Sequence, residues 1–176
     1  MLGYFNKPDA TAEVLRDGWF HTGDIGALDA EGYLSITDRK KDLLVTSGGK
    51  KIAPQPIEEV LKRSPLVSEA VVLGDRQRYV AALIIPDFTA LERRLKDLGR
   101  PPAERSQLVK REDVVALYQE IVNGLNRELS QFERIKRFRL LPREFTIESG
   151  VLTPTLKVRR KAVEQNWRAE IEKLYE

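Results

Sequence analysis

The sequence predicts an α+β protein in which a small sheet is covered by helices. Two nearly continuous apolar runs, at residues 70–73 and 79–85, predict strands that are central in that sheet. Apolar residues recur at three- and four-residue steps from Val114 to Leu129, which predicts an amphipathic helix. A content of 41% hydrophobic and 32% charged residues is typical of a globular protein.

Residues 1–40 are punctuated by Gly and Asp turn residues between short predicted elements. A segment of this kind does not bury enough apolar surface to form a core by itself. We therefore expect it to lean on a partner, as the end of a truncated domain would. Its predicted elements are a helix from Ala12 to Leu15 capped by Asp9 or Thr11, strands at 19–20 and 33–37, and turns at Asp17-Gly18 and Glu31-Gly32.

From residue 41 onward the chain carries stronger strand and helix signals. The first predicted elements are strands at 43–45 and 51–52 joined by a flexible loop, and a helix from Pro54 with Ile57, Val60 and Leu61 on one face. The two central strands around Gly74-Asp75, a helix at 88–98 and a polar excursion at 99–112 come next. The amphipathic helix, a half-buried strand at 135–141 and a final helix marked by Val163, Trp167, Ile171 and Leu174 complete the chain.

Composition excludes several classes of site. Without cysteine there is no disulfide framework, thiolate nucleophile or thiolate metal site, and the single histidine, His21, does not supply a multi-histidine site. No apolar run approaches the roughly 20 residues that a bilayer-spanning helix needs. The first nine residues lack the pattern of a signal peptide. These features favour a cytoplasmic protein.

The net charge of +3 conceals an asymmetry. Residues 1–40 hold four Lys/Arg and seven Asp/Glu, whereas the remainder holds 26 basic and 20 acidic residues. A late basic run is either a solvated surface or an anion-binding face. Since no aromatic interleaving or nucleic-acid motif accompanies it, a polyphosphate cofactor such as CoA or ATP fits better than nucleic acid. The run contains Arg134, Lys136, Arg137, Arg139, Arg143, Lys157, Arg159, Arg160 and Lys161.

Two residues near the N-terminus are candidates for binding a polar ligand. Asp24, flanked by Gly23 and Gly26, is a good acceptor for hydroxyl donors. Arg39 follows fifteen residues later, one short strand away, and suits the same ligand. Simpler interpretations stay open, because Asp24 is also an ordinary turn residue and Arg39 also suits a surface ion pair with Asp38 or Asp42.

Two further candidates lie later in the chain. Ser47-Gly48-Gly49 is either a hairpin loop that needs positive φ or a backbone that a ligand approaches closely. Lys157 is either a surface lysine at the start of a helix or a point charge for a phosphoryl group.

Together these motifs resemble the adenylate-forming superfamily and, within it, the long-chain fatty acyl-CoA synthetases. The resemblance implies a small mobile C-terminal domain at 41–176, with a small sheet flanked by helices and a β-hairpin. It also implies that 1–40 is the β-rich remnant of a large N-terminal domain. The resemblance runs from residue 3 to about residue 167 and is carried by the blocks at 3–11, 22–24, 32–34, 38–42, 47–54 and 150–157.

The resemblance assigns roles to individual residues. Asp24 would accept hydrogen bonds from the ribose hydroxyls of ATP, with Thr22 beside it, and Arg39 would contact the ribose or phosphate region. Lys41 matches the position of the family's hinge, where Asp or Lys is found.

Two roles belong to the later motifs. The loop of Ser47, Gly48 and Gly49 would line the pantetheine tunnel during thioester formation. Lys157 would pair with the substrate carboxylate and the α-phosphate. It stands in Thr-Leu-Lys, where many relatives have Thr-Gly-Lys, and the leucine version is typical of the long-chain branch.

The implied reaction consumes ATP, a fatty acid and CoA, with Mg²⁺ held by the missing N-terminal domain. No phosphate loop, magnesium-binding glutamate or fatty-acid tunnel is recognisable, so we expect the chain alone to be inactive. Peripheral membrane association of the intact enzyme is compatible with the resemblance. Two alternatives stay open: a non-catalytic nucleotide- or CoA-binding module, and another adenylate-forming enzyme such as an aryl-CoA ligase or an adenylation domain.

Overall fold

The computed structural model describes residues 1–176 as two compact units, Met1–Asp42 and Leu43–Glu176. The helices are α1 (Pro8–Val14), α2 (Pro54–Lys62), α3 (Phe88–Asp97), α4 (Arg105–Leu108), α5 (Glu112–Asn126), α6 (Arg160–Asn166) and α7 (Arg168–Tyr175). The strands are β1 (Leu15–Arg16), β2 (Trp19–Phe20), β3 (Asp24–Leu28), β4 (Leu34–Arg39), β5 (Leu44–Val45), β6 (Lys51–Ile52), β7 (Val67–Leu73), β8 (Val80–Pro86) and β9 (Ile135–Leu140). This mixture of small sheets and helices confirms the predicted α+β class.

The first unit consists of α1 and two antiparallel hairpins, β1–β2 and β3–β4. It has no apolar core, because its one buried residue is the polar Asp38. The segment therefore forms no core of its own, as expected, but the reason is the exposure of its apolar side chains and not a low apolar content. Its large hydrophobic side chains are instead exposed, namely Met1, Leu2, Tyr4, Phe5, Trp19, Phe20, Leu28, Tyr33, Leu34 and Ile36.

The first helix starts earlier than the sequence predicts. It runs over Pro8–Val14, with Lys7 at the N-cap and no side-chain cap. Proline at the first helical position needs no backbone N–H and already has a helical φ. The Thr11 hydroxyl lies inside the helix, where it donates to Lys7 O and accepts from Tyr4 N. The prediction of Asp9 or Thr11 as cap was therefore wrong.

The second unit is built on a three-stranded sheet with the order β7-β8-β9. Strands β7 and β8 are antiparallel, whereas β8 and β9 are parallel and are connected through α3, α4 and α5. Strand β8 is buried along its whole length. From α5, Tyr118 packs into the core and donates its hydroxyl to Leu66 O at 2.6 Å, and burial raises the pKa of that hydroxyl.

The sequence predicts two central strands, but only β8 is central and β7 lies at the edge. Edge strands normally present unpaired N–H and C=O groups to solvent. Here the backbone N–H and C=O of Val72, which point away from β8, make hydrogen bonds to side chains. The Val72 N–H donates to Glu58 Oε1 at 2.7 Å, and Arg160 Nη1 donates to Val72 O. Residues 70–73 are buried on both faces of the sheet, so β7 has the apolar sequence of a central strand although it lies at the edge.

Glu58 and Arg160 also bind each other, with Arg160 Nη2 2.7 Å from Glu58 Oε1. Their side chains are 13% and 20% exposed. We call this arrangement of Glu58, Arg160 and the Val72 backbone the edge clasp. It joins the consecutive elements α2 and β7 to the first residue of α6, which lies far along the chain.

The predicted polar excursion differs from the structure. The polar excursion at 99–112 contains the short helix α4, whose Leu108 is fully buried and anchors the segment to the core. Arg111 donates to both carboxylate oxygens of Asp113 at 3.0 and 2.6 Å, and this hydrogen-bonded guanidinium lowers the pKa of Asp113.

The final helix is interrupted. It divides into α6 and α7 at Trp167, whose backbone leaves the helical region at φ −118° and ψ 29°. The Trp167 ring packs edge-on against Phe145, with ring centroids 5.1 Å apart.

No helix of the structure is both long and apolar enough to cross a membrane.

We predict that Glu58→Ala lowers the free energy of unfolding by about 2–4 kcal/mol, since Arg160 and the Val72 N–H then lose a buried partner. Urea denaturation of residues 1–176 measures this change. Glu59→Ala is the matched control, because Glu59 is exposed on the same helix. Equal stability of the two variants would contradict the role given to the edge clasp.

Candidate functional site

The β3–β4 hairpin brings Asp24 and Arg39 together. They are directly opposite each other in the register, at the open end of the hairpin. Arg39 Nε lies 3.3 Å from Asp24 Oδ1, and the side chains are 56% and 27% exposed. Asp24 Oδ2 has no hydrogen bond or ion pair within the chain. The pair thus keeps one carboxylate oxygen and most of the guanidinium accessible.

The ion-pair interpretation of Arg39 named Asp38 or Asp42 as the partner, and the structure gives Asp24 instead. Because side chains alternate along β4, Asp38 points to the opposite face and is buried. Two backbone features support the pair. Thr22 Oγ1 accepts from the Asp24 N–H at 3.1 Å, and Lys40 N donates to Gly23 O at 2.8 Å. Thr22 therefore shapes the turn that presents Asp24.

Lys41 lies in the turn that follows β4, where the Asp42 N–H donates to Arg39 O at 2.9 Å. Its side chain is exposed. The boundary between the two compact units falls after Asp42, one residue further along the chain. The hinge role of Lys41 and the predicted domain ranges remain predictions.

The glycine loop, residues 46–50, joins β5 to β6 as the sequence predicts. The Thr46 backbone and hydroxyl hold it closed through bonds with Lys50, and the Ser47 N–H donates to Gln77 O at 2.9 Å. Gly49 has φ +75°, which favours glycine. Gly48 has no such requirement, because a Cβ there would meet only Thr46 Oγ1 at 3.9 Å. The conformation of the loop thus explains the glycine at position 49 and does not explain the exposed Gly48.

Lys157 lies in an exposed hairpin between Val151 and α6. The isolated bridge Leu152–Val158 closes the hairpin. Inside it, the Thr153 N–H donates to Lys157 O at 2.9 Å, and the Lys157 N–H donates to Thr153 Oγ1 at 3.0 Å. The ammonium group has no ion pair in the chain. The backbone of Lys157 is held firmly while its charge is available to a ligand.

The basic run divides into two kinds of residue. Arg160 belongs to the edge clasp, so the structure removes it from the predicted anion-binding face. Lys136 and Arg137 are exposed on β9, and Lys157, Arg159 and Lys161 are exposed around the hairpin. No cluster of three or more acidic or histidine side chains in the chain has the arrangement of a metal site.

Sequence reasoning missed two supports of the candidate lysine. The edge clasp anchors α6 three residues after Lys157, and no local pattern marks two side chains that reach a strand edge from distant helices. The three-residue loop at 154–156 could have been predicted, since Thr-Pro-Thr is a favourable start for a tight turn.

The chain is similar to a known protein family along most of its length. The family model described as "AMP-binding enzyme C-terminal domain" matches residues 41–176. The long-chain-fatty-acid–CoA ligase FadD15 of Mycobacterium tuberculosis is 43% identical over 177 residues, which are 98% of this chain and 29% of that protein. Human ACSBG1, also named a long-chain-fatty-acid–CoA ligase, is 33% identical over 99% of this chain and 27% of its own length. The chain thus spans less than a third of the curated relatives it matches.

Solved structures give the same relationship. The A-PCP didomain of the carboxylic acid reductase from Segniliparus rugosus, in complex with AMP, is 28% identical with a TM-score of 0.78, covering 98% of this chain and 23% of that one. The O-succinylbenzoate coenzyme A synthetase of Bacillus subtilis, in complex with AMP, is 26% identical with a TM-score of 0.61, covering 90% and 27%. The family resemblance seen in the motifs is confirmed, and the chain belongs to the AMP-binding enzyme C-terminal domain family.

Proposed function

We propose that this chain is the C-terminal portion of a long-chain fatty acid–CoA ligase. In the first half-reaction a fatty carboxylate attacks the α-phosphate of ATP, giving acyl-AMP and pyrophosphate. In the second, the CoA thiol attacks the acyl carbonyl and releases AMP. The observation that carries this proposal is Lys157, an unpaired cation at an exposed and rigidly bonded hairpin. The curated relatives named above support the substrate class.

The Asp24–Arg39 pair is the proposed nucleotide contact. The free Asp24 Oδ2 accepts from a ribose hydroxyl, and a charged acceptor makes a stronger hydrogen bond than a neutral one. Arg39 already holds Oδ1, so the carboxylate is oriented before the nucleotide arrives. The remaining guanidinium donors face the ribose or phosphate side, while Thr22 fixes the turn.

Lys157 is proposed to act on the reacting centre. Negative charge accumulates on the α-phosphate as the carboxylate attacks, and an ammonium group at that point stabilises it. A flexible four-carbon stem lets a compact charge enter a crowded centre where a planar guanidinium would not fit.

The two half-reactions place different demands on the same small site. Adenylation needs the lysine, whereas thioester formation needs room for the pantetheine arm of CoA. We propose that rotation about Lys41 withdraws Lys157 and brings in Ser47, Gly48 and Gly49. The open space at Gly48 suits a backbone that a ligand approaches closely.

The proposal requires a large N-terminal domain. Residues 1–40 would be its last segment, and the exposed apolar side chains of the first unit would pack against it. The chain's own residues offer no site that fits Mg²⁺, so no step is assigned to that ion here.

The alternatives are weighed by the same comparisons. Carboxylic acid reductases and O-succinylbenzoate synthetase are adenylating enzymes with other acids or acceptors, and they share 28% and 26% identity with this chain. The 43% identity to a long-chain ligase favours the fatty acid. A non-catalytic module would bind AMP or CoA without any dependence of a reaction on Lys157.

We predict that residues 1–176 alone release no AMP when given ATP, palmitate-class acids and CoA, because the proposal assigns most of the substrate-binding surface to the large domain. A coupled assay for AMP measures this. Turnover above that of a Lys157→Ala control would contradict the need for a further domain.

In the intact ligase, Lys157→Ala is expected to slow acyl-adenylate formation by roughly 10²-fold or more. Thioester formation from supplied acyl-adenylate is expected to change little, since the lysine is withdrawn in that step. Single-turnover assays of each half-reaction provide the measurement. Lys161→Ala is the matched control, an exposed lysine of the same basic run. Equal losses in both half-reactions would argue against the assigned role.

Asp24→Asn in the intact ligase is expected to raise KM for ATP by roughly 10- to 100-fold, because charge-assisted hydrogen bonds become neutral ones. Steady-state kinetics at saturating fatty acid and CoA measure it. Asp9→Asn is the control, since Asp9 is exposed on α1. An unchanged KM would remove Asp24 from the nucleotide site.

A further inference from the structure

Leu156, directly before Lys157, has a backbone conformation that its side chain disfavours. Its φ is +59°, in the left-handed region. A bulky L-residue is strained there, whereas glycine is not. The other non-glycine residues with positive φ are Asn6, Asp17 and Arg76, so Leu156 is the apolar member of the group.

The hydrogen bonds of the hairpin enforce this conformation. The Leu156 N–H donates to Thr153 O at 2.8 Å, which closes a turn over Pro154 and Thr155. Thr153 and Lys157 then exchange the bonds described above. This is the pattern of a three-residue loop in which a turn is followed by one left-handed residue, a position where glycine is usual.

Most of the Leu156 side chain is not covered by other residues of the chain. It is 67% exposed and lies outside the hydrophobic core, whereas Leu152 and Val158 at the base of the same hairpin pack against that core. A strained residue that is mostly exposed and outside the core indicates a function elsewhere. Since Leu156 and Lys157 are neighbours at one exposed tip, a surface that receives the ammonium group also meets the leucine.

We propose that Leu156 is a positioning residue for Lys157. During adenylation its side chain packs against an apolar surface of the large domain beside the nucleotide, and this contact sets how far the lysine enters. The inference rests on the proposed function, and the occupant follows from it, since the proteins matched by this chain extend well beyond the 29% that is aligned in FadD15. An apolar anchor next to a flexible cation fixes the distance of approach, which the charge alone does not.

The test uses Leu156→Ala in the intact ligase, because alanine keeps a Cβ and the left-handed strain while removing the apolar contact. Acyl-adenylate formation should fall by roughly 10- to 100-fold, the value of one buried leucine side chain. Thioester formation from supplied acyl-adenylate should remain within about twofold, and Leu156→Met should restore most of the adenylation rate. A wild-type adenylation rate in Leu156→Ala, or equal loss of both half-reactions, would overturn the proposal.

Stability of residues 1–176 provides the second readout. Leu156→Ala should leave the urea midpoint unchanged, because the side chain has no support inside the chain. Leu156→Gly should not lower the midpoint, since it relieves the strain, yet it should lose adenylation as Leu156→Ala does. A lowered midpoint in Leu156→Ala would mean that the side chain packs within the chain, and the proposal would fail.

Failure of this inference is distinguishable from failure of the proposed function. If Lys157→Ala abolishes adenylation and Leu156→Ala does not, only the positioning role is lost. If Lys157→Ala has no effect on adenylation, the function of the site itself is wrong.

Discussion

The second unit depends on how the open edge of β7 is closed. A three-stranded sheet with an unpaired apolar edge would bind another chain or lose its register. A carboxylate from α2 and a guanidinium from the start of α6 supply the missing hydrogen-bond partners of Val72. Because the same two groups form an ion pair, neither is buried without its counter-charge. One interaction therefore fixes the sheet edge, α2 and the C-terminal helices together.

The position of this interaction matters for the candidate site. Arg160 follows the Lys157 hairpin directly, so one arm of that hairpin is tied to the sheet. The other arm begins at the buried Val151. Between these anchors, hydrogen bonds between Thr153 and Lys157 hold the backbone of the hairpin. The side chains at its tip are exposed. The glycine loop has a comparable design, with Thr46 cross-linking its base. Both loops thus present defined tips on short, well-held hairpins.

Much of this architecture is readable from the residues, and the failures have physical causes. Apolar periodicity located α2, α5, β8 and β9, because burial on one face or both dictates it. The same signal made β7 look central, since burial on both faces gives an edge strand the composition of a central one. The break at Trp167 coincides with a ring contact with Phe145, which no local pattern encodes. The proximity of Asp24 and Arg39 depends on the β3–β4 hairpin, whose first strand was not predicted, and that of Glu58 and Arg160 depends on the complete fold.

The parallel pairing of β8 with β9 has a consequence for how the chain folds. Residues 87–134 must be traversed before the third strand can align with the second. Closing so long a loop costs entropy before any pairing rewards it, which slows folding. Helices α3 and α5 depend on local contacts, whereas completion of the sheet needs β9, a strand rich in arginine and lysine, to pair across this separation. Once paired, β9 is itself an edge strand, and its positive charges disfavour pairing of that edge with a second copy.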